Sequence, residues 1–312
     1  MKILVTGGAG FIGSNVVDEY VNLGHEVIVV DDLSTGFKHN VNPKAKFYEM
    51  DIRSNQIEKV FEKEKPDFVN HHAAQISVPV SVQNPQFDAE VNVVGFLNLM
   101  QSCVKFKVKK VILISSGGAI YGEAKEYPTT ENYEPIPLSP YAINKYVCEK
   151  YLHFYFHQYG LNYTVLRYAN VFGPRQIPHG EAGVVSIFIT NFKENKETYL
   201  YAFEDEPDGM VRDYVYVKDV VQANVIVLKK GDLDAFNIGT NLETTTGKLY
   251  REISKQMNVN VEPIRAGARP GDIRKSCLNI EKAKNELGWE PKYSLQKGIK
   301  ETINFFINKN KE

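Results

Sequence analysis

The chain has 312 residues, of which 43% are hydrophobic and 24% are charged, and its formal net charge is −1. This composition is typical of a soluble globular protein, and the length suits two closely packed domains. A near-neutral charge gives no global attraction to nucleic acid or to an anionic membrane. No stretch approaches the roughly 20 apolar residues of a membrane-spanning helix. The cysteines, Cys103, Cys148 and Cys277, are far apart and lack metal-ligand spacing. An odd number is unusual for a disulfide framework, so we expect a cytoplasmic protein with reduced thiols and no metal site, nucleic-acid partner or membrane segment.

Predicted strands and helices alternate through the first half of the sequence. The strands are short, mostly β-branched segments at 3–5, 27–30, 46–50, 68–70, 111–115 and 163–167. Helical patterns fill most of the gaps, at 11–23, 54–63, 88–105 and 141–159. Repeated strand–helix alternation is typical of a parallel sheet with helices on both faces. The fold class that this predicts is α/β, with a Rossmann-type doubly wound parallel sheet.

The regular alternation stops after Val171. Helical patterns return at 184–195, 220–230, 249–257 and 280–287, and a strand-like segment lies at 214–217. No internal repeat or low-complexity linker separates these segments from the first half. We predict a large domain formed by residues 1–171 plus about 212–240, and a smaller, mixed α/β C-terminal cap formed by about 172–211 plus 241–312.

A glycine-rich loop follows the first predicted strand. Gly7, Gly10 and Gly13 have the spacing G-x-x-G-x-x-G and lead directly into the first helix. The first two glycines allow a tight turn close to a pyrophosphate, the third lets the helix pack on the sheet, and the helix N-terminus supplies N–H donors. A glycine triplet alone also occurs in ordinary tight turns. The strand before it and the helix after it favour a dinucleotide-binding loop in the large domain.

Carboxylates end the second and third predicted strands. Asp31 and Asp32 follow the glycine loop by about 20 residues, where a carboxylate binds an adenosine ribose and repels a 2′-phosphate. This position favours NAD over NADP as the cofactor. Asp51 and Ile52 end the third strand, where the edge of an adenine ring would lie. For these two residues a solvated loop is an equally good interpretation.

A tyrosine and a lysine lie four residues apart at the start of a predicted helix. Tyr141 and Lys145 therefore share one helical face. An ammonium beside a phenol lowers the pKa of the phenol toward neutrality, so that the tyrosine can act as a general base. The same spacing occurs by chance on amphipathic helices. The strand ending in Ser115 and Ser116 strengthens the catalytic interpretation, because a hydroxyl at its edge can share a substrate proton with the tyrosine.

Several motifs follow one another in the order of a known family. The glycine loop, the segment 72–75 (HAAQ), the segment 115–122 (SSGGAIYG) and the Tyr141/Lys145 pair resemble the extended short-chain dehydrogenase/reductase family. The resemblance covers nearly the whole chain and is strongest to the UDP-glucose 4-epimerases and their UDP-hexosamine relatives. It implies that NAD is also contacted by Phe11, Ile12, Leu33, Thr35, Gly36, Ala73, Ala74, Gln75, Asn92, Ser115, Tyr141, Lys145 and Tyr168.

The resemblance also implies that the cap binds a UDP-sugar. Asn170 matches an asparagine that touches the nucleotide diphosphate, and Arg212 and Arg269 match two arginines that bind phosphates. Arginines from distant segments make charge-assisted, partly bidentate contacts with a diphosphate, whereas a lone arginine is more often part of a surface ion pair. Around the uridine and the sugar, where the segment 179–185 lies in the family, the matched positions are Gly183, Val184, Val185, Tyr201, Asp272 and Ser276.

Two details of the family pattern differ here. The catalytic Ser/Thr of the family aligns with Gly117 if the alignment is anchored on Tyr121, and with Ser116 if it is anchored on the strand. Because glycine has no hydroxyl, we predict that Ser116 takes this role. Ser276 is small at the position that limits the sugar C2 substituent in the family. A UDP-N-acetylhexosamine therefore stays open as a substrate beside UDP-glucose and UDP-galactose.

The resulting functional prediction is NAD-dependent 4-epimerisation through a transient 4-keto sugar. A 4,6-dehydratase or decarboxylase acting on nucleotide sugars shares the oxidation step. The similar dehydratases carry an Asp-Glu pair where this chain has Gly117 and Gly118, which argues against that activity. A non-catalytic NAD(H)-binding sensor would need neither the Tyr141/Lys145 pair nor the diphosphate arginines.

The two longest predicted helices, 88–105 and 141–159, carry apolar residues on more than one face. Such helices are often buried on two sides. The family forms homodimers through these two helices, so the resemblance implies a homodimer. Burial of the same faces beneath the cap is the alternative.

Overall fold

The computed structural model describes residues 1–178, 183–269 and 272–308. Its strands, in chain order, are β1 (Lys2–Thr6), β2 (Glu26–Asp31), β3 (Lys46–Glu49), β4 (Phe68–His71), β5 (Lys110–Ser116), β6 (Asn162–Tyr168), β7 (Asn170–Phe172), β8 (Tyr199–Ala202), β9 (Val211–Arg212), β10 (Tyr214–Tyr216), β11 (Asp234–Ile238), β12 (Thr244–Thr245) and β13 (Ile264–Gly267).

A seven-stranded sheet forms the centre of the molecule. Its order is β11-β6-β5-β4-β1-β2-β3, and every pairing within it is parallel. From β1 the chain adds β2 and β3 on one side and then β4, β5 and β6 on the other. The position between β1 and β4 is therefore the topological switch point of a doubly wound sheet, where ligands bind beyond the carboxyl ends of the strands. The predicted Rossmann-type α/β fold is therefore confirmed.

Helices connect the strands and cover both faces of the sheet. They are α1 (Phe11–Asn22), α2 (Ile57–Glu64), α3 (Val78–Gln83), α4 (Pro85–Ala89), α5 (Gly95–Lys105), α6 (Gly117–Ile120), α7 (Pro140–Tyr159), α8 (Val184–Glu194), α9 (Val217–Ile226), α10 (Thr246–Met257) and α11 (Leu295–Asn308). A π-helical turn at residues 90–94 joins α4 to α5, so the predicted helix 88–105 is one run with a local widening. Within the ranges described, none of the helices combines the length and apolar character that a membrane crossing requires.

The boundaries of α7 follow from its sequence. The Ser139 side chain accepts a hydrogen bond from the backbone N–H of Ala142, at 3.2 Å, and Pro140 occupies the first turn, where its missing N–H costs nothing. The helix ends at Gly160, whose φ of 68° is the left-handed conformation that glycine adopts without strain. This start places Tyr141 in the first turn, next to the end of β5.

Three buried hydrophobic clusters hold these layers together. One lies on each face of the large sheet, and a third forms the core of the cap around Phe188 and Tyr250. The C-terminal segment differs from the predicted domain boundary at one place. Residues Leu278, Ile280, Leu287 and Trp289 pack in a core of the large sheet rather than in the cap. The chain thus returns to the large domain before α11 packs on the cap.

Short strands also pair outside the large sheet, and among those that the structure describes the sequence predicted β10 alone, as the strand-like segment 214–217. β8 pairs with β13 in parallel, β9 pairs with β12 antiparallel, and β10 pairs with β7 in parallel. Strands of two to four residues carry too little alternation to be recognised from sequence. Their pairing brings the segments before and after α10 together beside the end of the large sheet.

A buried ion pair lies beneath the carboxyl end of β5. Arg167 on β6 contacts Glu149 on α7 at 2.7 Å, and Glu149 also accepts a hydrogen bond from the Ser115 hydroxyl at 2.5 Å. Breaking a buried pair leaves an uncompensated charge. We expect Glu149→Ala to lower the free energy of unfolding by roughly 3–5 kcal/mol, as measured by urea denaturation. An exposed carboxylate on the same molecule, Glu58, should show almost no effect when it is changed to alanine.

Candidate active site

The glycine loop forms a close-packed cradle at the switch point of the sheet. Gly7 has a φ of 69°, and a Cβ added to it would lie 2.6 Å from the backbone nitrogen of Ala73. A Cβ on Gly13 would lie 2.2 Å from the carbonyl oxygen of Gly7. Gly10 caps α1 without any side chain, so the start of the helix is open toward a ligand. This cradle fits a dinucleotide pyrophosphate, because glycines let a ligand approach the backbone closely and the N-terminus of α1 supplies N–H donors.

The carboxylate at the end of β2 borders this cradle. Asp31 accepts hydrogen bonds from the backbone N–H groups of Ala9 and Leu33, at 2.9 and 2.8 Å, and burial raises its pKa. Asp32 is exposed and accepts from Ser34 within its own loop. Gly36 packs against the same loop, and a Cβ there would lie 2.9 Å from the carbonyl carbon of Ala9. Of the two predicted acids, Asp31 is therefore the one beside the glycine loop.

The residues predicted around the adenine lie at the end of β3. Asp51 is paired with Arg53 at 2.6 Å, and this hydrogen-bonded contact lowers the pKa of the carboxyl. Ile52 is buried in the core, and its carbonyl accepts a hydrogen bond from Asn98 at 2.7 Å. Thr35 is exposed at the tip of the neighbouring loop.

Hydrogen bonds among Gln75, Asn92 and Asp88 hold the turn after β4 in place. Asn92 accepts from the backbone N–H of Gln75 at 2.9 Å and donates to its carbonyl at 3.0 Å. The Gln75 amide donates to Asp88 at 2.6 Å. Ala73 and Ala74 lie between this network and the glycine loop, so the network shapes the backbone that faces the cradle.

Three predicted contact residues have side chains that point elsewhere. The Ser115 hydroxyl is buried against Glu149, and Tyr168 is 4% exposed with its hydroxyl accepting from Asn224 at 2.6 Å. Val185 is buried in the core of the cap. A contact between these three residues and a ligand stays a prediction, and it would have to be made by their backbone. Ser115 and Tyr168 point into the protein because successive residues along β5 and β6 face opposite sides of the sheet.

Ser116, Tyr141 and Lys145 come together at the carboxyl end of β5. The Ser116 hydroxyl lies close enough to Tyr141 to lower the pKa of its phenol. The Lys145 Nζ lies 6.0 Å from the centroid of the Tyr141 ring and donates to the carbonyl oxygen of Ile114 at 3.1 Å. These three side chains form the polar centre of the cleft between the glycine loop and the cap.

The protonation of this group differs from the sequence-based expectation. Burial raises the pKa of Tyr141 to about 12, and the Ser116 hydrogen bond lowers it only in part. Burial lowers the pKa of Lys145. The lysine ammonium donates to the Ile114 carbonyl and lies 6.0 Å from the centroid of the Tyr141 ring, and its effect on the pKa of the phenol stays a prediction.

The two glycines after β5 have different surroundings. A Cβ on Gly117 would lie 2.6 Å from Leu278 Cδ1 and 3.1 Å from the carbonyl oxygen of Arg167, so a side chain at this position has no free space. A Cβ on Gly118 would lie 3.4 Å from Asn170 Oδ1 and 4.0 Å from Ser276 Oγ. Gly118, Asn170 and Ser276 therefore line one small space beside the catalytic group.

A cluster of arginines closes the cleft on the cap side. Arg212 donates to the carbonyl oxygens of Val211 and Arg274, at 2.9 and 3.4 Å, and burial lowers its pKa. Among the residues that the structure describes, no carboxylate lies within ion-pair distance of Arg212. Arg269 pairs with Asp272 at 3.1 Å, and its guanidinium lies 4.5 Å above the ring of Tyr201. A partly buried cation with only carbonyl partners is suited to an anionic ligand.

Part of the segment that is predicted to contact the uridine lies within the described residues. Gly183 begins α8 with a φ of 87°, and a Cβ there would lie 2.8 Å from Ser186 Oγ. Val184 is partly buried against the core of the cap. The predicted contacts at residues 179–182 and 270–271 lie outside the described residues.

Comparison with known proteins places this site in a family. The model of the NAD dependent epimerase/dehydratase family matches residues 3–239. The chain belongs to this family. NAD is therefore the cofactor of this chain, as the sequence predicted.

Three relatives illustrate the similarity within the epimerase/dehydratase family. A UDP-glucose 4-epimerase of Mycolicibacterium smegmatis is 42% identical over 315 residues, which are 99% of this chain and 99% of the relative. A structure of UDP-glucose 4-epimerase with UDP-glucose from Thermotoga maritima is 50% identical, with a TM-score of 0.96 over 100% of both chains. A UDP-N-acetylglucosamine 4-epimerase from Methanobrevibacter ruminantium, in complex with UDP-N-acetylmuramic acid, is 32% identical, with a TM-score of 0.92 over 99% of this chain and 98% of that one.

Sequence reasoning missed two residues at this site. Asp88 and Asn144 join the turn after β4 to α7 through a hydrogen bond of 2.7 Å. The detectable signal was a carboxylate within an otherwise apolar helical pattern and an amide inside the Tyr141–Lys145 turn. Neither residue belongs to the family motifs that directed the prediction.

Proposed function

We propose that the protein interconverts the C4 epimers of a UDP-hexose through a 4-keto intermediate. The observation that carries this proposal is the cluster of Ser116, Tyr141 and Lys145 at the carboxyl end of β5, with the Lys145 Nζ 6.0 Å from the centroid of the Tyr141 ring. The full-length similarity to proteins named UDP-glucose 4-epimerase supports the same conclusion.

The side chains of the cleft divide the chemistry among them. Tyr141 takes the proton of the sugar 4-hydroxyl and returns it after inversion, and Ser116 hydrogen-bonds the same oxygen. Lys145 keeps a positive charge in the buried region next to the phenol. NAD, when bound, supplies the acceptor and donor of the C4 hydrogen. Because burial raises the pKa of Tyr141, we expect the rate to increase from neutral to alkaline pH.

The cap holds the nucleotide while the sugar remains free to turn. Arg212, Arg269 and Asn170 anchor the diphosphate, and Asp272 and Tyr201 lie beside the uridine. The keto sugar must present its opposite face before reduction, so few tight contacts to the hexose are desirable, and most binding energy comes from UDP. The large domain thus performs the chemistry and the cap holds the substrate.

The small space at Gly118 and Ser276 bears on the choice of sugar. No side chain from residues 117 or 118 enters it, so these two positions do not decide between a hydroxyl and an N-acetyl group at C2. The same two glycines leave no acid–base pair next to Ser116, which argues against a 4,6-dehydratase or decarboxylase. The paired Tyr141 and Ser116 argue against a sensor without catalysis.

A substrate panel tests this proposal. The purified protein is incubated with UDP-glucose, UDP-galactose, UDP-GlcNAc and UDP-glucuronic acid, and the products are separated by chromatography and weighed by mass spectrometry. We expect C4 epimers of unchanged mass from UDP-glucose and UDP-galactose. A product lighter by one water would indicate dehydration, and four unchanged substrates would indicate a sensor.

Ser116 should be the catalytic hydroxyl of this site. We expect Ser116→Ala to lower kcat roughly 10²-fold, because one hydrogen bond to the reacting oxygen is lost. The Ser116 hydrogen bond lowers the pKa of Tyr141, so its loss raises that pKa, and the acid limb of the pH–rate profile should move to higher pH. Ser102→Ala, another buried serine, serves as the control. An unchanged kcat in Ser116→Ala would contradict the assignment.

Two further parts of the proposal concern assembly and location. The face of α7 away from the sheet exposes Ile143 and Phe154 at 46% and 48%, and Val94 is 55% exposed on the adjacent helical run. Exposed apolar side chains on neighbouring helices suit a helix-bundle interface between two copies of the chain. We propose that the protein is a homodimer and lies in the cytoplasm. Light scattering of the purified protein measures its mass and thus tests the homodimer.

A further inference from the structure

Asp88 carries a buried carboxylate that the chemistry described above does not use. It lies at the end of α4 and is 0% exposed. Its Oδ1 accepts from Gln75 and Asn92, at 2.6 and 3.1 Å, and its Oδ2 accepts from Asn144 at 2.7 Å. All three donors are neutral amides. A buried carboxylate without an ion-pair partner is costly, so its hydrogen bonds and its position need an explanation.

The three amides connect two parts of the active site. Gln75 and Asn92 belong to the network that shapes the turn beside the NAD cradle. Asn144 lies on α7 in the same turn as Tyr141 and Lys145. Asp88 therefore joins the backbone that borders the cofactor to the helix that carries the base.

Asp88 also differs from the other groups that face Lys145. Glu149 is paired with Arg167 at 2.7 Å. Burial raises the pKa of the Cys148 thiol to about 12 and lowers that of His72 to about 3, so both are neutral at physiological pH. His71 is also buried, which lowers its pKa, and it hydrogen-bonds Thr6.

The carboxylate acts on both members of the catalytic pair. Its negative charge opposes the effect of burial on Lys145 and raises the pKa of that ammonium. It also raises the pKa of Tyr141. Cys148 and Glu149 also raise the pKa of Lys145. Glu149 is paired with Arg167, however, whereas the three hydrogen-bond donors of Asp88 are neutral amides.

We propose that Asp88 is a positioning residue for the reaction: its carboxylate ties the catalytic helix α7, through Asn144, to the turn at residues 72–75, through Gln75 and Asn92, and puts a negative charge near Lys145. This proposal rests on the function proposed above. It assigns Asp88 no contact with the substrate. The residue acts through the charge of Lys145 and the placement of Tyr141.

The decisive variant is Asp88→Asn. The new amide can still accept from Gln75 and Asn92, and Asn144 can turn its amide to accept from the new NH2, so charge is removed with little change of shape. We expect kcat to fall about tenfold while the KM for UDP-sugar changes little, because alignment and charge rather than substrate binding are affected. Both limbs of the pH–rate profile should move to lower pH, since the pKa values of Tyr141 and Lys145 both lose a contribution that raises them.

A charge-swap variant separates charge from structure. In Asp88→Asn combined with Asn144→Asp, the hydrogen bond is kept and the carboxylate moves to α7. We expect both limbs of the pH–rate profile to return toward their wild-type positions. Glu64→Gln serves as the control. Glu64 is a buried carboxylate on α2 that accepts a hydrogen bond from Tyr48 at 2.6 Å, and its removal should leave the pH–rate profile unchanged.

A second readout does not depend on epimerase activity. The side-chain signal of Lys145 is followed by NMR in protein made with isotopically labelled lysine, and it is assigned by its absence in Lys145→Met. We expect its titration midpoint to lie at lower pH in Asp88→Asn than in wild type. An unchanged midpoint overturns the role of Asp88 whatever the substrate is. If the wild-type protein had no epimerase activity but the midpoint were still lower in Asp88→Asn, the proposed function would be overturned and the role of Asp88 would remain supported.

Discussion

Tyr141→Phe should abolish turnover and leave the binding of UDP nearly unchanged. The substitution removes only the hydroxyl that exchanges a proton with the sugar, and we expect kcat to fall roughly 10³-fold. UDP affinity should persist because the arginines of the cap do not contact Tyr141. Turnover is measured with UDP-galactose, and UDP binding is measured by isothermal titration calorimetry on the same preparation.

A neighbouring tyrosine provides the control. Tyr146 is on the same helix and partly buried, and Lys150 lies over its ring at 4.6 Å. Tyr146→Phe removes the same atom from the same element and should retain activity. Equal losses of turnover and UDP binding in Tyr141→Phe would indicate misfolding or a different site, and would count against Tyr141 as the base.

Arg212→Ala should weaken UDP binding more than it changes the chemical step. The guanidinium donates to two carbonyl oxygens and has no carboxylate within ion-pair distance among the described residues. Loss of a charge-assisted contact with a diphosphate corresponds to roughly 2 kcal/mol, or about a 30-fold higher Kd for UDP. The affinity is measured by calorimetry with UDP alone, which does not depend on turnover.

A surface arginine of the cap serves as its matched control. Arg251 forms an exposed ion pair with Asp208 at 2.7 Å, and Arg251→Ala should change the Kd for UDP very little, because exposed pairs contribute little. Arg212→Lys keeps the charge but not the planar fork, so we expect an intermediate affinity. If Arg212→Ala and Arg251→Ala bound UDP equally well, the diphosphate would have to lie elsewhere.

Much of the fold could be predicted because its signals are local. Short β-branched segments separated by long helical patterns determine a parallel sheet, and the glycine spacing locates its switch point. The cap was harder to predict, since β9 and β12 have two residues each and form only by pairing with each other. The return of residues 278–289 to the core of the large sheet likewise depends on contacts between segments distant in sequence.

The residues of the candidate site also divide into those predictable from the sequence and those that only the tertiary structure shows. Gly7, Asp31, Tyr141 and Lys145 could be recognised because each belongs to a motif with a fixed spacing. Two alignments of the catalytic hydroxyl were possible, and the sequence predicted Ser116 because Gly117 has no hydroxyl. The structure adds that Gly117 is enclosed by Leu278 and the Arg167 carbonyl, so a side chain there would have no space.

The sequence by itself determined the fold class, the NAD cofactor and the family, because these depend on residue types at short, fixed spacings. Tertiary structure alone decided which side chains face the cleft and how they are charged. Ser115 and Tyr168 lie in the core, the phenol of Tyr141 is less acidic than expected, and Asp88 faces the catalytic helix. Burial and hydrogen-bond partners come from elements far apart in the chain, and these set both the direction and the pKa of a side chain.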